Sequence, residues 1–331
     1  MKRVAKILSA FLITGLILYA CLSRVNIHEL LISLQRAHLI WIALGALCSL
    51  GIIFINSIQF KLFLPRFGQI VYAKMFQIVA IFSMVVNLVP FWGGHALLIY
   101  LLGKQEKVGK TVALSMLTME QMAEGFGKLF LFLVVAFAMP LPFWLSKGIH
   151  GFLWVILLAY LILLSCALFL RKSMGDKYKH RPWINYFLNI VNKWASHLHV
   201  LRNWKKSMVS FTLAIGMKFL EVLAVYCVHQ SFGLNFTLVQ AFFVVVALAL
   251  AMALPLTPGR IGIFEGTALL VYQYFGLGSS EALGLGVILH AVHTLPLVLA
   301  GYVSTFFMGV KIKQLNMPNL SNEVVLNPAS L

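Results

Sequence analysis

Apolar runs long enough to cross a bilayer recur along this chain, and one of them is broken in a way that constrains every fold it can adopt. Between Ala241–Ala253 and Ala268–Phe275 lies LPLTPGRIGIFEG, Leu254 to Gly266, with prolines, glycines, Arg260 and Glu265. Hydrocarbon does not tolerate open backbone or bare charge unless protein or a water-filled cavity surrounds them. Ionisable residues at such a place mark a functional site by default.

Composition agrees with a membrane setting. Hydrophobic residues make up 61% and charged residues 11%, which excludes an ordinary soluble domain. The net charge of +17 fits lysines and arginines left on the cytoplasmic side better than a nucleic-acid partner, and no nucleic acid is expected. Cys21, Cys48, Cys166 and Cys227 stand singly in apolar runs, without disulfide or zinc spacing. The start, MKRVAKILSAFLITGLILYACLS, carries a faint lipoprotein-like box at Leu18–Cys21, but it reads more simply as a membrane helix.

The basic loops fix an expected topology. Arg171–Lys206 holds nine Lys/Arg and one acid, Asp176, and is cytoplasmic by the positive-inside rule. Lys2, Arg3 and Lys6, then Lys61–Lys74, then Lys104–Lys110, and finally Lys311 and Lys313 join it on that side. Full spans are expected at Ala5–Ser23, Leu39–Phe60, Thr111–Met139, Ile149–Leu170, Ser207–Gln230 and Ala282–Met308. Parity then requires Met75–Gly103 to enter and leave on the cytoplasmic side, and Leu238–Gly276 to do so on the opposite side. Each is broken at its centre, at Asn87–His95 (NLVPFWGGH) and at Leu254–Gly266. The alternative, ordinary helices kinked by Pro and Gly, needs two failures of the charge rule.

The expected fold is therefore an all-α polytopic membrane protein forming a single domain over residues 1–331. It has about six full spans and two re-entrant helical hairpins in inverted repeats. Residues 39–139 form the first repeat, with its hairpin at 75–103. Residues 207–308 form the second, with its hairpin at 238–276. Within the cytoplasmic segment 171–206, residues 178–206 place Trp183, Phe187, Ile190, Trp194, Leu198 and Leu201 at helical spacing. That pattern suits an interfacial helix against anionic inner-leaflet headgroups, with a solvated linker as the alternative.

Helical rise sets which polar groups share a depth. Glu120 lies roughly 14 Å into the span that starts at Thr111, near the middle of a ~30 Å core. Glu124 and Lys128 follow on the same face, and Lys218, Glu221, His290 and His293 also fall at mid-depth on their helices. Glu124/Lys128 and Lys218/Glu221 have the spacing to neutralise each other, so these four read equally well as structural pairs or as site residues. Glu120, Arg260 and Glu265 have no such local partner and are candidates for substrate contact or proton relay. Arg260 suits a bidentate grip on phosphate. His95 and the backbone at Gly93, Gly94, Gly259 and Gly262 add polarity at the hairpin tips. His290 and His293 share a face but lack a third ligand, so neither a metal nor another cofactor is expected.

Thr257-Pro258-Gly259-Arg260-Ile261-Gly262-Ile263-Phe264-Glu265 resembles the "TPGGxGxxE" segment of the lysylphosphatidylglycerol synthase/flippase transmembrane domain family. The likeness extends through Glu281-Ala282 to His290 and Pro296. It implies a helical membrane domain with re-entrant segments, associated with moving a lipid between leaflets. Some relatives join it to a soluble aminoacyl-transferase domain. No such domain lies within these residues, so lipid aminoacylation by this chain alone is not expected.

Three arginines of the family pattern are replaced. Its "PxxxGExxR" is here Pro90 to Leu98, its "ERxxD" is Glu120-Gln121-Met122-Ala123-Glu124, and His290 stands where the last span carries arginine. Arg260 occupies a position where the family often has glycine. The expected function is a flippase-like translocase of a phospholipid or polyprenyl-phosphate-linked lipid in a bacterial cytoplasmic membrane, with both termini cytoplasmic and no covalent chemistry. The alternative is a membrane-embedded lipid-modifying transferase or its accessory subunit, and a lipid-modifying enzyme is a conceivable partner.

Overall fold

The computed structural model describes residues 37–64, 69–89, 93–169, 203–253 and 257–309, with positions 19, 23, 28 and 35 besides. The expected first span and the interfacial segment up to residue 202 lie outside the described residues. All described elements are helical. In chain order they are α1 (Leu39–Phe63), α2 (Tyr72–Leu88), α3 (Gly93–Glu106), α4 (Lys110–Ala138), α5 (Phe143–Phe169), α6 (Trp204–Ser231), α7 (Leu238–Ala251), a 3₁₀ turn (Pro258–Arg260), α8 (Ile263–Tyr274) and α9 (Ser279–Phe307).

Proline decides where several helices stop. Leu64, Val89 and Met139 each cap a helix with extended backbone, and each precedes a proline in the sequence. The proline ring clashes with helical geometry at the residue before it, so the helix must end there. Thr257 is extended before Pro258 for the same reason. Helix starts are fixed by capping side chains at two places. Asn203 accepts hydrogen bonds from the Lys205 and Lys206 amides, and Thr237 forms a capping box with Gln240.

Among the described residues, α1, α4, α6 and α9 are long and apolar enough to cross a membrane. The chain is thus an all-α protein of polytopic membrane type. The helices α2, α3, α7 and α8, of 17, 14, 14 and 12 residues, are shorter. At about 1.5 Å per residue none exceeds roughly 26 Å, less than a ~30 Å hydrocarbon core. Large apolar side chains point outward on α1 (Leu39, Leu44, Leu47, Phe54, Ile58) and on α9 (Leu295, Leu299, Val303, Phe306). In water such faces would be a liability, whereas in lipid they are already solvated.

The centre of the packing is the antiparallel pair α1 and α6. The His38 amide donates to the Ser231 carbonyl at one end (2.8 Å), and the buried Gln59 side chain donates to the Ser210 carbonyl at the other (2.8 Å). Between them Gly45 sits against the Ala224 carbonyl and Gly51 against Leu220, so the two helices hold one register along their length. Around this pair the contacts come in matched sets. As α2 packs on α9, so α7 packs on α4. As α3 packs on α4, so α8 packs on α9; as α1 packs on α9, so α6 packs on α4. The short helices also pair with each other, α2 with α3 and α7 with α8.

Apolar packing forms two main cores with a polar zone between them. One gathers α2, α3, the C-terminal part of α1 and α4 up to Met119. The other gathers α7, α8, α6 from Val222, α4 from Leu131 and α9 up to Val292. Glu120, Glu124 and Lys128 on α4 and Lys218 and Glu221 on α6 fall in the gap, as does His293 on α9. At Gly301 the α2–α9 contact is so close that an added Cβ would meet Met84 and lie 2.7 Å from the Ala80 carbonyl oxygen. Gly301→Ala should therefore destabilise the fold by about 1–3 kcal/mol, read as a lower unfolding temperature in detergent. Gly151→Ala, with nothing within 4 Å of the new methyl, should not.

Candidate functional site

The gap between the cores holds a cavity of about 360 Å³, lined from α1, α2, α3, α4, α6, α7, α9 and the 3₁₀ turn. Its floor is an ionic chain across two helices. The Lys218 ammonium lies 2.9 Å from Glu124 Oε1 on α4 and 2.9 Å from Glu221 Oε2 on its own helix. Lys128 approaches the same Glu124 oxygen at 3.2 Å. The i,i+4 and i,i+3 pairs expected from spacing are present, and Lys218 also joins the two helices. Gly127 makes room for this, since a Cβ there would stand 3.0 Å from the Lys218 stem. Lys218 is the buried member of this half-buried set, so removing either of its carboxylate partners weakens the compensation of a buried charge.

Glu120 and Gln121 complete the α4 wall, with the Gln121 amide donating to Glu120 Oε2 at 2.6 Å. Gln121 shares the i, i+3, i+7 face of Glu124 and Lys128, a periodicity from which it was readable. His95 lines the opposite side and packs edge-on against Phe82 at 5.4 Å. Asn87, at the end of α2, donates to the Ser83 carbonyl and also lines the cavity. Gly259 comes close to the Asn87 carbonyl, so the end of α2 and the turn in the second pair of short helices meet at the cavity.

Arg260 lines this space with little to hold it. Among the described residues its guanidinium has one hydrogen-bond partner, the Met252 sulfur 3.7 Å from Nη1, and no carboxylate within 4 Å. Its backbone is left-handed (φ 59°), directly after Gly259 (φ 63°). A side chain in that conformation costs roughly 1–2 kcal/mol, which glycine avoids. The glycine of the "TPGG" pattern is therefore what this backbone prefers, and arginine is kept here against that preference. Thr257, at the start of the turn, is 2% exposed and lines the cavity, yet its hydroxyl has no hydrogen-bond partner among the described residues.

Glu265 and His290, grouped with the cavity residues by depth, do not line it. Glu265 Oε2 accepts from the Gly262 amide at 2.7 Å, and its Oε1 accepts from His290 Nδ1 at 2.6 Å. Phe264 stacks on the His290 ring at 4.5 Å. Gly286 lets α8 approach α9 beside the Glu265 backbone. The pair fastens the start of α8 to α9, and the amide of Gly262 is capped by the chain's own carboxylate. Gly93 and Gly94 also stand off the cavity. A Cβ on Gly94 would collide with Val86, so this glycine serves the α2–α3 contact. Leu98, where the family pattern has arginine, is fully buried in the apolar core.

The Arg260 geometry makes a test. Arg260→Gly should be more stable than Arg260→Ala by about 1 kcal/mol in detergent unfolding, because only glycine relieves the left-handed backbone. Equal stability of the two variants would show the backbone there to be unstrained.

Comparison with known proteins agrees with the membrane architecture. A UPF0104 membrane protein from Methanothermobacter thermautotrophicus is 21% identical over 271 residues, covering 74% of this chain and 78% of that one. No solved structure matches the chain. The family model described as the lysylphosphatidylglycerol synthase TM region matches residues 6–301, so this protein belongs to that family of membrane proteins.

Proposed function

We propose that this protein is a lipid translocase. The headgroup of a phospholipid or polyprenyl-phosphate-linked lipid enters the charged cavity while its tails remain in the bilayer. The observation that carries this reading is Arg260: a cation at a 360 Å³ cavity, without a carboxylate within 4 Å among the described residues and held on costly backbone. A buried charge without a counter-charge is unfavourable unless something supplies one, and a lipid phosphate does. Lys218, Glu124, Lys128 and Glu221 hold the wall, while Glu265 and His290 keep α8 against α9.

In this reading residues 75–103 and 238–276 are re-entrant hairpins, and 39–139 and 207–308 are inverted repeats. The matched helix contacts support it. Exchanging α1–α4 for α6–α9 maps each matched pairing onto its mate, and α1 and α6 exchange with each other. Because those two run antiparallel, the relating axis lies across them, in the membrane plane. In the same reading the membrane is a bacterial inner membrane and both termini are cytoplasmic, which the charge of the basic loops supports for orientation. Residues 178–206 would then rest on anionic headgroups there, and a lipid-modifying enzyme could supply the substrate.

Reconstitution tests the proposal. In liposomes carrying acyl-labelled lipid in one leaflet, the wild-type protein should accelerate transfer between leaflets. Arg260→Ala should slow it by at least about tenfold, as loss of a charge-assisted contact predicts. Transfer no faster than in protein-free vesicles, for phospholipids and polyprenyl phosphates alike, would overturn it. A covalently altered lipid would favour the transferase alternative.

A further inference from the structure

Once the wall pairs off, two ionisable groups of opposite type remain at the cavity without a contacting counter-charge. Lys128, Glu124, Lys218 and Glu221 form a chain of two cations and two carboxylates and cancel. Arg260 has no carboxylate within 4 Å, and Glu120 has no cation within 4 Å, among the described residues. Among the described residues the hydrogen bond to Glu120 comes from a neutral amide, that of Gln121, so no cation contacts this carboxyl group. Beside Arg260 stands Thr257, a residue of the cavity lining whose buried hydroxyl has no hydrogen-bond partner among the described residues. The two belong to one turn, the Arg260 amide donating to the Thr257 carbonyl at 3.2 Å.

From this arrangement we infer that the cavity is built for a zwitterionic phospholipid headgroup bearing one primary ammonium, such as phosphatidylethanolamine. The Arg260 guanidinium and the Thr257 hydroxyl donate to the phosphodiester, and the Glu120 carboxylate accepts from the ammonium. A planar guanidinium offers paired N–H donors that match phosphate oxygens, and a hydroxyl adds a third. An ammonium has three N–H donors, which suits a carboxylate with one oxygen still free and the Gln121 carbonyl oxygen beside it. A net-anionic headgroup leaves Glu120 desolvated and unmatched. A headgroup with two ammonium groups brings one cation too many. Specificity follows from these uncompensated charges as much as from the matched ones. A choline headgroup keeps the charge but has no N–H to donate.

The inference rests on the translocase reading for its physiological meaning, but binding can be measured without transport. Native mass spectrometry of the purified full chain with short-chain phosphatidylethanolamine, phosphatidylglycerol and phosphatidylcholine reads it directly. The ethanolamine lipid should bind at least about tenfold tighter than the glycerol lipid, with choline between them. Glu120→Gln should bring ethanolamine and glycerol lipids within about twofold of each other, while Thr257→Val should weaken both. Wild-type protein that binds the glycerol lipid as tightly as the ethanolamine lipid overturns the inference, whatever the variants do. In liposomes, transfer without an ethanolamine preference also contradicts it while leaving translocation standing. Selective binding without transfer upholds it and removes the translocase reading instead.

Discussion

A lysine ammonium at hydrocarbon depth needs a counter-charge, and Lys218 holds two. Its contacts with Glu124 and Glu221, each at 2.9 Å, tie α4 to α6 where neither apolar core reaches. Without them the middle of the bundle would be a set of bare charges in a medium that excludes them. With them the two cores can close on either side and leave a polar space between. The cavity therefore depends on a balance of charge as much as on shape.

That balance is incomplete in a particular way. Four groups cancel along the α4–α6 wall, while Arg260 and Glu120 have no oppositely charged side chain within 4 Å among the described residues. Arg260 also occupies left-handed backbone, so two separate costs meet at one residue. Strain and unmatched charge together are the signature of a site organised for a ligand rather than for stability. Glu265 and His290 show the contrast. Both carboxylate oxygens are used and the histidine ring is stacked on Phe264, so this pair serves the α8–α9 contact.

Much of this was readable from residue order, for identifiable reasons. Proline before extended backbone fixes the ends of α1, α2 and α4, and those prolines are plain in the sequence. Intrahelical pairs such as Glu124/Lys128 follow from spacing alone. The Lys218–Glu124 bridge does not, because 94 positions separate the partners and only the packing of α4 on α6 brings them together. Depth counting grouped Glu265 with the cavity residues but could not see His290, 25 positions away, taking up its second oxygen. Nor could it see that Arg260 is left-handed. The family pattern held a hint in its glycine at that position, which becomes a backbone argument only once φ is known. Helix α5 begins at Phe143, six residues before the apolar run expected to span. A helix can continue past the hydrocarbon edge, and there Lys147 folds back over the Phe143 ring at 4.4 Å.

The proposed translocation path requires the two pairs of short helices, α2–α3 and α7–α8, to enter from opposite membrane faces. Cysteine accessibility measures this most directly. In a cysteine-free background, single cysteines at the exposed positions Gln105, in the last turn of α3, and Gly278, after α8, would be probed in oriented vesicles with a membrane-impermeant maleimide. The proposed topology predicts that Gln105→Cys reacts only from the cytoplasmic face and Gly278→Cys only from the other. Labelling of both from the same face would contradict it.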